Sequence, residues 1–113
     1  MNLRRLFRRG GSLPTSVDGA TALRMVREGA MLIDVRERAE WKTGHAPQAL
    51  HLPLRDVAQA QRRVKPDTPV VVMCASGMRS RTAARQLRAL GLRATSLSGG
   101  IGAWQSAGGA VRR

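Results

Sequence analysis

Short apolar runs alternate with stretches of helical period along most of this chain, and that alternation narrows the possible folds more than any other feature. Met31-Leu-Ile-Asp-Val35, Ala49-Leu-His-Leu52, Val70-Val-Val-Met73 and the run from Ala94 to Leu97 are each short and apolar, the pattern of strands buried on both faces. Between them lie stretches that read as helices. Ser16 and Asp18 offer capping oxygens to a helix through about Arg27, with Ala22, Leu23, Val26 and Ala30 as its apolar positions and Gly29 closing it. Glu37 to Thr43 makes about two turns before Gly44, and Arg55 to Val64 reads as a further helix with Val57, Ala58 and Gln61 on one side. From Ser80 to Leu90 the residues Ala83, Ala84, Leu87 and Leu90 recur at helical spacing, with Arg81, Arg85 and Arg88 on the opposite face and Gly91 as the stop. A short helix bearing Trp104 follows Ser98-Gly-Gly100, and a first strand is expected around Leu13. Strands alternating with helices predict an α/β domain: a central parallel sheet covered by helices on both faces, joined by right-handed crossovers.

At 113 residues the chain has room for one such domain and excludes a two-lobed enzyme. Its 20 Lys and Arg against 7 Asp and Glu give a net charge of +13. Such an excess favours anionic partners but carries no information on fold. Phe7, Trp41 and Trp104 are the only aromatic residues, too few for base-stacking platforms, so the composition argues against nucleic acid as the main partner. Residues 1–11 read as a basic, flexible tail outside a domain of residues 12–113. Leu3, Leu6 and Phe7 share one helical face among Arg4, Arg5, Arg8 and Arg9, which would suit weak contact with an anionic membrane surface. The tail lacks the apolar run of a signal peptide, and no stretch is long and apolar enough to span a membrane, so the expected location is the cytoplasm. Cys74 is the single cysteine. No internal disulfide can form, and with only His45 and His51 beside it neither a metal site nor a cofactor is expected.

Cys74 falls at the carboxyl end of the most β-branched run, where α/β sheets place their ligands. Ala75, Ser76, Gly77, Met78 and Arg79 follow, and a helix is expected to begin at about Ser80, whose hydroxyl could cap it. A strand end, a tight loop and a helix N-terminus together converge free N–H groups on an anion. Those dipoles, with Arg79 and Arg81 nearby, favour a thiolate, which makes Cys74 a candidate nucleophile. A buried cysteine ending a core strand would be the plain structural alternative. Asp34 and Arg36, at a neighbouring strand end, can reach each other or the loop, and a salt bridge that shapes the loop wall is the favoured reading.

The segment Cys74-Ala-Ser-Gly-Met-Arg-Ser80 resembles the active-site loop of the rhodanese sulfurtransferases. Leu32-Ile-Asp-Val-Arg36, Glu40-Trp41, Gly44-His45 and Leu97-Ser-Gly-Gly100 with Trp104 and Gly108 resemble the family's other signatures, in the same order. The similarity runs from about Leu13 to Gly109 and departs at Pro47-Gln48-Ala49, where the family more often has proline–glycine–alanine. It implies a three-layer rhodanese-like domain. It also implies a transferase in which Cys74 takes a sulfane sulfur from thiosulfate or a persulfide donor, holds it as a persulfide in the loop from Ala75 to Ser80, and passes it to cyanide or a thiol. A slow or non-catalytic sulfur carrier is the alternative, with Arg81, Arg85 and Arg88 positioned to dock an acidic protein acceptor. Phosphatase or arsenate-reductase chemistry fits less well. Related phosphatases place five residues between cysteine and arginine, and here four intervene, Ala75 to Met78.

Overall fold

The structure is a computed structural model, and it describes residues 11–113. The expected tail lies outside the described residues except for Gly11, whose carbonyl accepts from Arg93 Nε at 2.7 Å. Five strands, β1 (Ser16–Val17), β2 (Met31–Asp34), β3 (Leu50–His51), β4 (Val70–Met73) and β5 (Ala94–Leu97), form one sheet in the order β1-β5-β4-β2-β3. Every pairing is parallel. Among the described residues five α-helices accompany them: α1 (Gly19–Arg27), α2 (Arg38–Thr43), α3 (Ala60–Arg63), α4 (Met78–Ala89) and α5 (Gly100–Ser106).

Alternation along the central strands sorts the core into two layers. Val70, Val72 and Cys74 face one side of β4, packing with Ile33, Val35, Ala83, Ala84 and Leu87. Val71 and Met73 face the other side, with Leu32, Ala22, Met25 and Trp104. With α4 over one face and α1 and α5 over the other, β4 is buried along its whole length, as its β-branched run requires. The chain is therefore a three-layer α/β domain.

Three elements differ from the sequence expectation. The region read as a helix from Arg55 to Val64 is a 3-10 helix over Leu54–Gln59 that continues into the single turn of α3. Leu54, Val57 and Ala60 recur every three residues, which lines them up in a 3-10 helix, and these are the positions that pack on the core. Ala58 and Gln61 are exposed. The helix expected from Ser80 begins two residues earlier, at Met78, with Gly77 at its N-cap position. Ser80 is thus not a cap; it lies buried within the first turn and its hydroxyl points to other partners. The first strand is at Ser16–Val17, three residues beyond Leu13, and Asp18 caps α1 by accepting from the Thr21 N–H at 2.8 Å.

Candidate active site

The chain leaves β4 at Met73 in the middle of the sheet, turns through Cys74 to Gly77 and enters α4. Gly77 permits this turn because its φ of +113° is a conformation that residues with a Cβ rarely adopt. The turn brings backbone donors onto the sulfur. Cys74 Sγ accepts from the Gly77 N–H at 3.0 Å and from the Ser80 N–H at 3.3 Å, and the Ser80 hydroxyl lies 3.5 Å away. Burial of Cys74 pushes its pKa up. Hydrogen bonds from the Ser80 side chain and from the backbone of Ser80, Gly77 and Ser76 outweigh that cost, so the thiol lies below its ordinary value. Met78 and Arg79 open α4, where first-turn amides have no partner inside the helix.

The loop rests on a matching turn. Ile101 N–H donates to the Cys74 carbonyl at 2.9 Å, and Gly100 lies against the carbonyls of Cys74 and Ala75, where a Cβ would collide with both. Of the expected site residues, Cys74, Gly77 and Ser80 converge on one point. Ala75, Ser76 and Met78 form the exposed outer side of the loop, and Met78 is 69% exposed.

Arg79 turns toward α2. Its Nη1 and Nη2 reach the two carboxylate oxygens of Glu40 at 2.6 and 2.8 Å, a bidentate pair. Glu40 also accepts from the Glu37 N–H at 2.9 Å, closing the capping box of α2. The Arg79 hydrogen bond holds the Glu40 carboxyl well below its usual range, at about 2. A depressed carboxyl pKa adds stability above the unfolded value of 4.5, and that stability is lost as pH falls through the folded value. With both side chains about one-third exposed, the contribution is modest. Acid titration should therefore lower the thermal midpoint between about pH 4.5 and pH 2, and in Glu40→Gln that component should be missing.

Asp34 and Arg36 meet each other and not the loop. Arg36 Nε and Nη2 reach the Asp34 carboxylate at 2.8 to 3.1 Å, and the Arg36 backbone N–H donates to Asp34 Oδ1 at 2.9 Å. The remaining guanidinium donors bind the carbonyls of Glu40 at 3.3 Å and Gly44 at 2.8 Å. Both residues are buried, so the pair ties the ends of α2, and with it Glu40, to the end of β2. Removing one partner leaves the other charge unpaired in the core. Asp34→Ala should lose about 3–5 kcal/mol in chemical denaturation.

Two arrangements were not legible in the sequence. Trp41 is sandwiched between His45 and His51, at 3.7 and 4.6 Å between ring centroids. His45 Nδ1 lies 2.9 Å from the Trp41 carbonyl, as befits a structural histidine, and His51 Nε2 lies 2.7 Å from the Arg36 carbonyl. Ser96, a polar residue facing inward from β5, sits 2.7 Å from the Ser80 hydroxyl. On the outer face of α4, Arg81 and Arg85 are exposed, whereas Arg88 is half-buried and donates to the Ala94 carbonyl at 3.1 Å.

The family profile described as Rhodanese-like domain matches residues 19–107. A Bacillus subtilis (strain 168) protein named "Putative sulfurtransferase YtwF" is 36% identical over 78 residues, which is 69% of this chain and 76% of that protein. A rhodanese-related protein from Thermoplasma volcanium superposes with a TM-score of 0.76 at 27% identity, over 88% of this chain and 98% of its own. A thiosulfate sulfurtransferase from Pseudomonas aeruginosa also gives 0.76, at 26% identity, over 89% of this chain but only 20% of its own length. Among the described residues no helix is long and apolar enough to cross a membrane. The profile match takes in strands β2 to β5 and the cysteine loop, and the chain belongs to the rhodanese-like domain family.

Proposed function

We propose that the chain is a sulfurtransferase in which Cys74 carries a single sulfane sulfur as a persulfide, with thiosulfate or another small anionic persulfide-type compound as donor. The observation that carries this reading is the convergence of the Gly77 and Ser80 N–H groups on the Cys74 sulfur at the mouth of a short loop. In the first step the Cys74 thiolate attacks the outer sulfur of thiosulfate. A new S–S bond forms, the S–S bond of thiosulfate breaks, and its electron pair leaves with sulfite. The terminal sulfur of the resulting persulfide keeps one negative charge, which the first-turn amides of α4 stabilise without reorganising. In the second step cyanide attacks that terminal sulfur, thiocyanate departs and the thiolate returns. A thiol acceptor leaves as a persulfide by the same displacement. Neither step needs a metal or a redox cofactor, and no general base is required when the cradle already favours the thiolate.

Two further features support sulfur over phosphate. The loop from Cys74 to Arg79 encloses only four residues, and the Arg79 guanidinium is engaged with Glu40 and not aimed at the loop centre. The Cys74 sulfur has no exposed surface, which favours small donors that need only local yielding of the exposed Ala75–Met78 segment. The exposed Arg81 and Arg85 suit an acidic protein as the final acceptor.

Thiocyanate formation from thiosulfate and cyanide, measured beside hydrolysis of an aryl phosphate, tests the reading. The expected result is thiocyanate at a rate proportional to protein and no phosphate release. Aryl phosphate hydrolysis without thiocyanate would replace this reading with the phosphatase one. Sulfur uptake without turnover to cyanide would identify a dedicated carrier.

A further inference from the structure

The hydroxyl of Ser80 lies within reach of three acceptors and has one proton to give. Cys74 Sγ is at 3.5 Å, the Gly77 carbonyl at 3.0 Å and Ser96 Oγ at 2.7 Å. While Cys74 is a thiol, its S–H can donate to Ser80 Oγ, and Ser80 can donate onward to Gly77. Once the sulfur is negative it can only accept, and the Ser80 proton must turn toward it. Two features make that reversal inexpensive. The Gly77 carbonyl also accepts from the Arg81 N–H at 3.2 Å, so it stays satisfied when Ser80 turns away. Ser96 brings a hydroxyl proton of its own, and Ser80 Oγ is its hydrogen-bond partner.

We propose that Ser96 is a positioning residue for the sulfur chemistry: by donating to Ser80 Oγ it commits the Ser80 proton to the negative sulfur of Cys74. The proposal rests on the reading of Cys74 as the reacting sulfur. Ser96 has the placement for it. It pairs in register with Val72, two residues before Cys74, and so faces the same side of the sheet as the thiol. It is fully buried, and its hydroxyl meets Ser80 Oγ at 2.7 Å. A chain of hydroxyls ending on an anion is cooperative, since each donor strengthens the next. A cavity of about 150 Å³ adjoins Ser96 and is lined also by Ser76, Gly77, Arg81 and Ser98, which gives the position room for one extra methyl group.

The charged groups around the sulfur stay fixed in the test. They are Arg79 with its partner Glu40, Arg81 from the same helix, and the Asp34–Arg36 pair at the end of β2. The rate of Cys74 alkylation by iodoacetamide is followed against pH on the full chain, which has no other cysteine. In Ser96→Ala the midpoint should rise by about half to one pH unit, which is about a three- to tenfold lower rate below the midpoint. Ser80→Ala should shift it at least as far, and the double variant no further than Ser80→Ala alone. Ser96→Thr should restore the original midpoint. Should Ser96→Ala not fold, Ser96→Gly removes the same hydroxyl and is read in the same way. An unshifted midpoint in Ser96→Ala overturns the proposal, as does a double variant whose shift is the sum of the single ones. A wild-type protein that takes up no sulfur from thiosulfate would defeat the sulfurtransferase reading yet leave this titration readable, so the two failures are separable.

Discussion

Cys74→Ser is expected to abolish thiosulfate-dependent thiocyanate formation, a fall of at least about a thousandfold to the uncatalysed rate. The size of the effect follows from what the side chain must do. A serine hydroxyl stays protonated at neutral pH however many N–H groups surround it, and its oxygen cannot hold and release a sulfane sulfur. The substitution is also close to neutral for the fold. An oxygen is smaller than sulfur and can accept from the same Gly77 and Ser80 N–H groups that meet Sγ at 3.0 and 3.3 Å. A thermal midpoint near that of the wild type, measured beside the lost activity, would place the effect in the chemistry. A variant that keeps turning over at the wild-type rate would show that Cys74 is only the buried end of a core strand.

Gly100→Ala should be nearly as damaging by a different route. Gly100 has a φ of +63°, and the Cβ it lacks would fall on the carbonyls of Cys74 and Ala75. Left-handed backbone costs about 1–2 kcal/mol for a residue with a Cβ. Forcing an atom into a filled site adds about 1–3 kcal/mol. The only relief is to move the cysteine loop away, and a displacement of about 1 Å at a reacting centre can cost a hundredfold in rate. The expected result is a stability loss of about 3 kcal/mol in denaturant titration together with a drop in activity of about a hundredfold. Full activity in Gly100→Ala would mean that the loop is not held against α5 in the way described.

Much of this was legible in the residues because the strongest local signals coincide with the site. The three consecutive valines of β4 mark a strand buried on both faces, and Cys74 ends it. The ordered glycines and the period of Ala83, Ala84 and Leu87 then announce the turn and the helix behind it. The boundaries moved where the period was not that of an α-helix. Leu54, Val57 and Ala60 are spaced by three, whereas an expectation of 3.6 grouped Ala58 and Gln61 on one side with Val57. Side-chain partners distant in sequence were hidden for another reason. Glu40 and Arg79 lie 39 positions apart, and only the pairing of β2 beside β4 brings their helices together. Nothing local to Glu40 points to Arg79 as its partner. Ser96 did leave a trace, as a hydroxyl at an inward position of a central strand, but its partner becomes visible only once β5 is set beside β4.

The net charge of +13 also takes on a more specific meaning in the fold. Ion pairs hold Asp34 with Arg36, Glu40 with Arg79, and Glu37 and Asp56 with Arg55. Arg81 and Arg85 extend along an exposed helix face that starts at the cysteine loop. In the proposed reaction a positive field there would concentrate the anionic donor, and added salt should weaken its capture.

Whether Cys74 carries a transferable sulfur is decided by mass spectrometry of the intact protein after incubation with thiosulfate. The expected result is a gain of one sulfur atom, mapped to Cys74 after digestion, lost on adding cyanide as thiocyanate appears, and absent from Cys74→Ser. A wild-type protein whose mass is unchanged by thiosulfate and by a persulfide donor would contradict it.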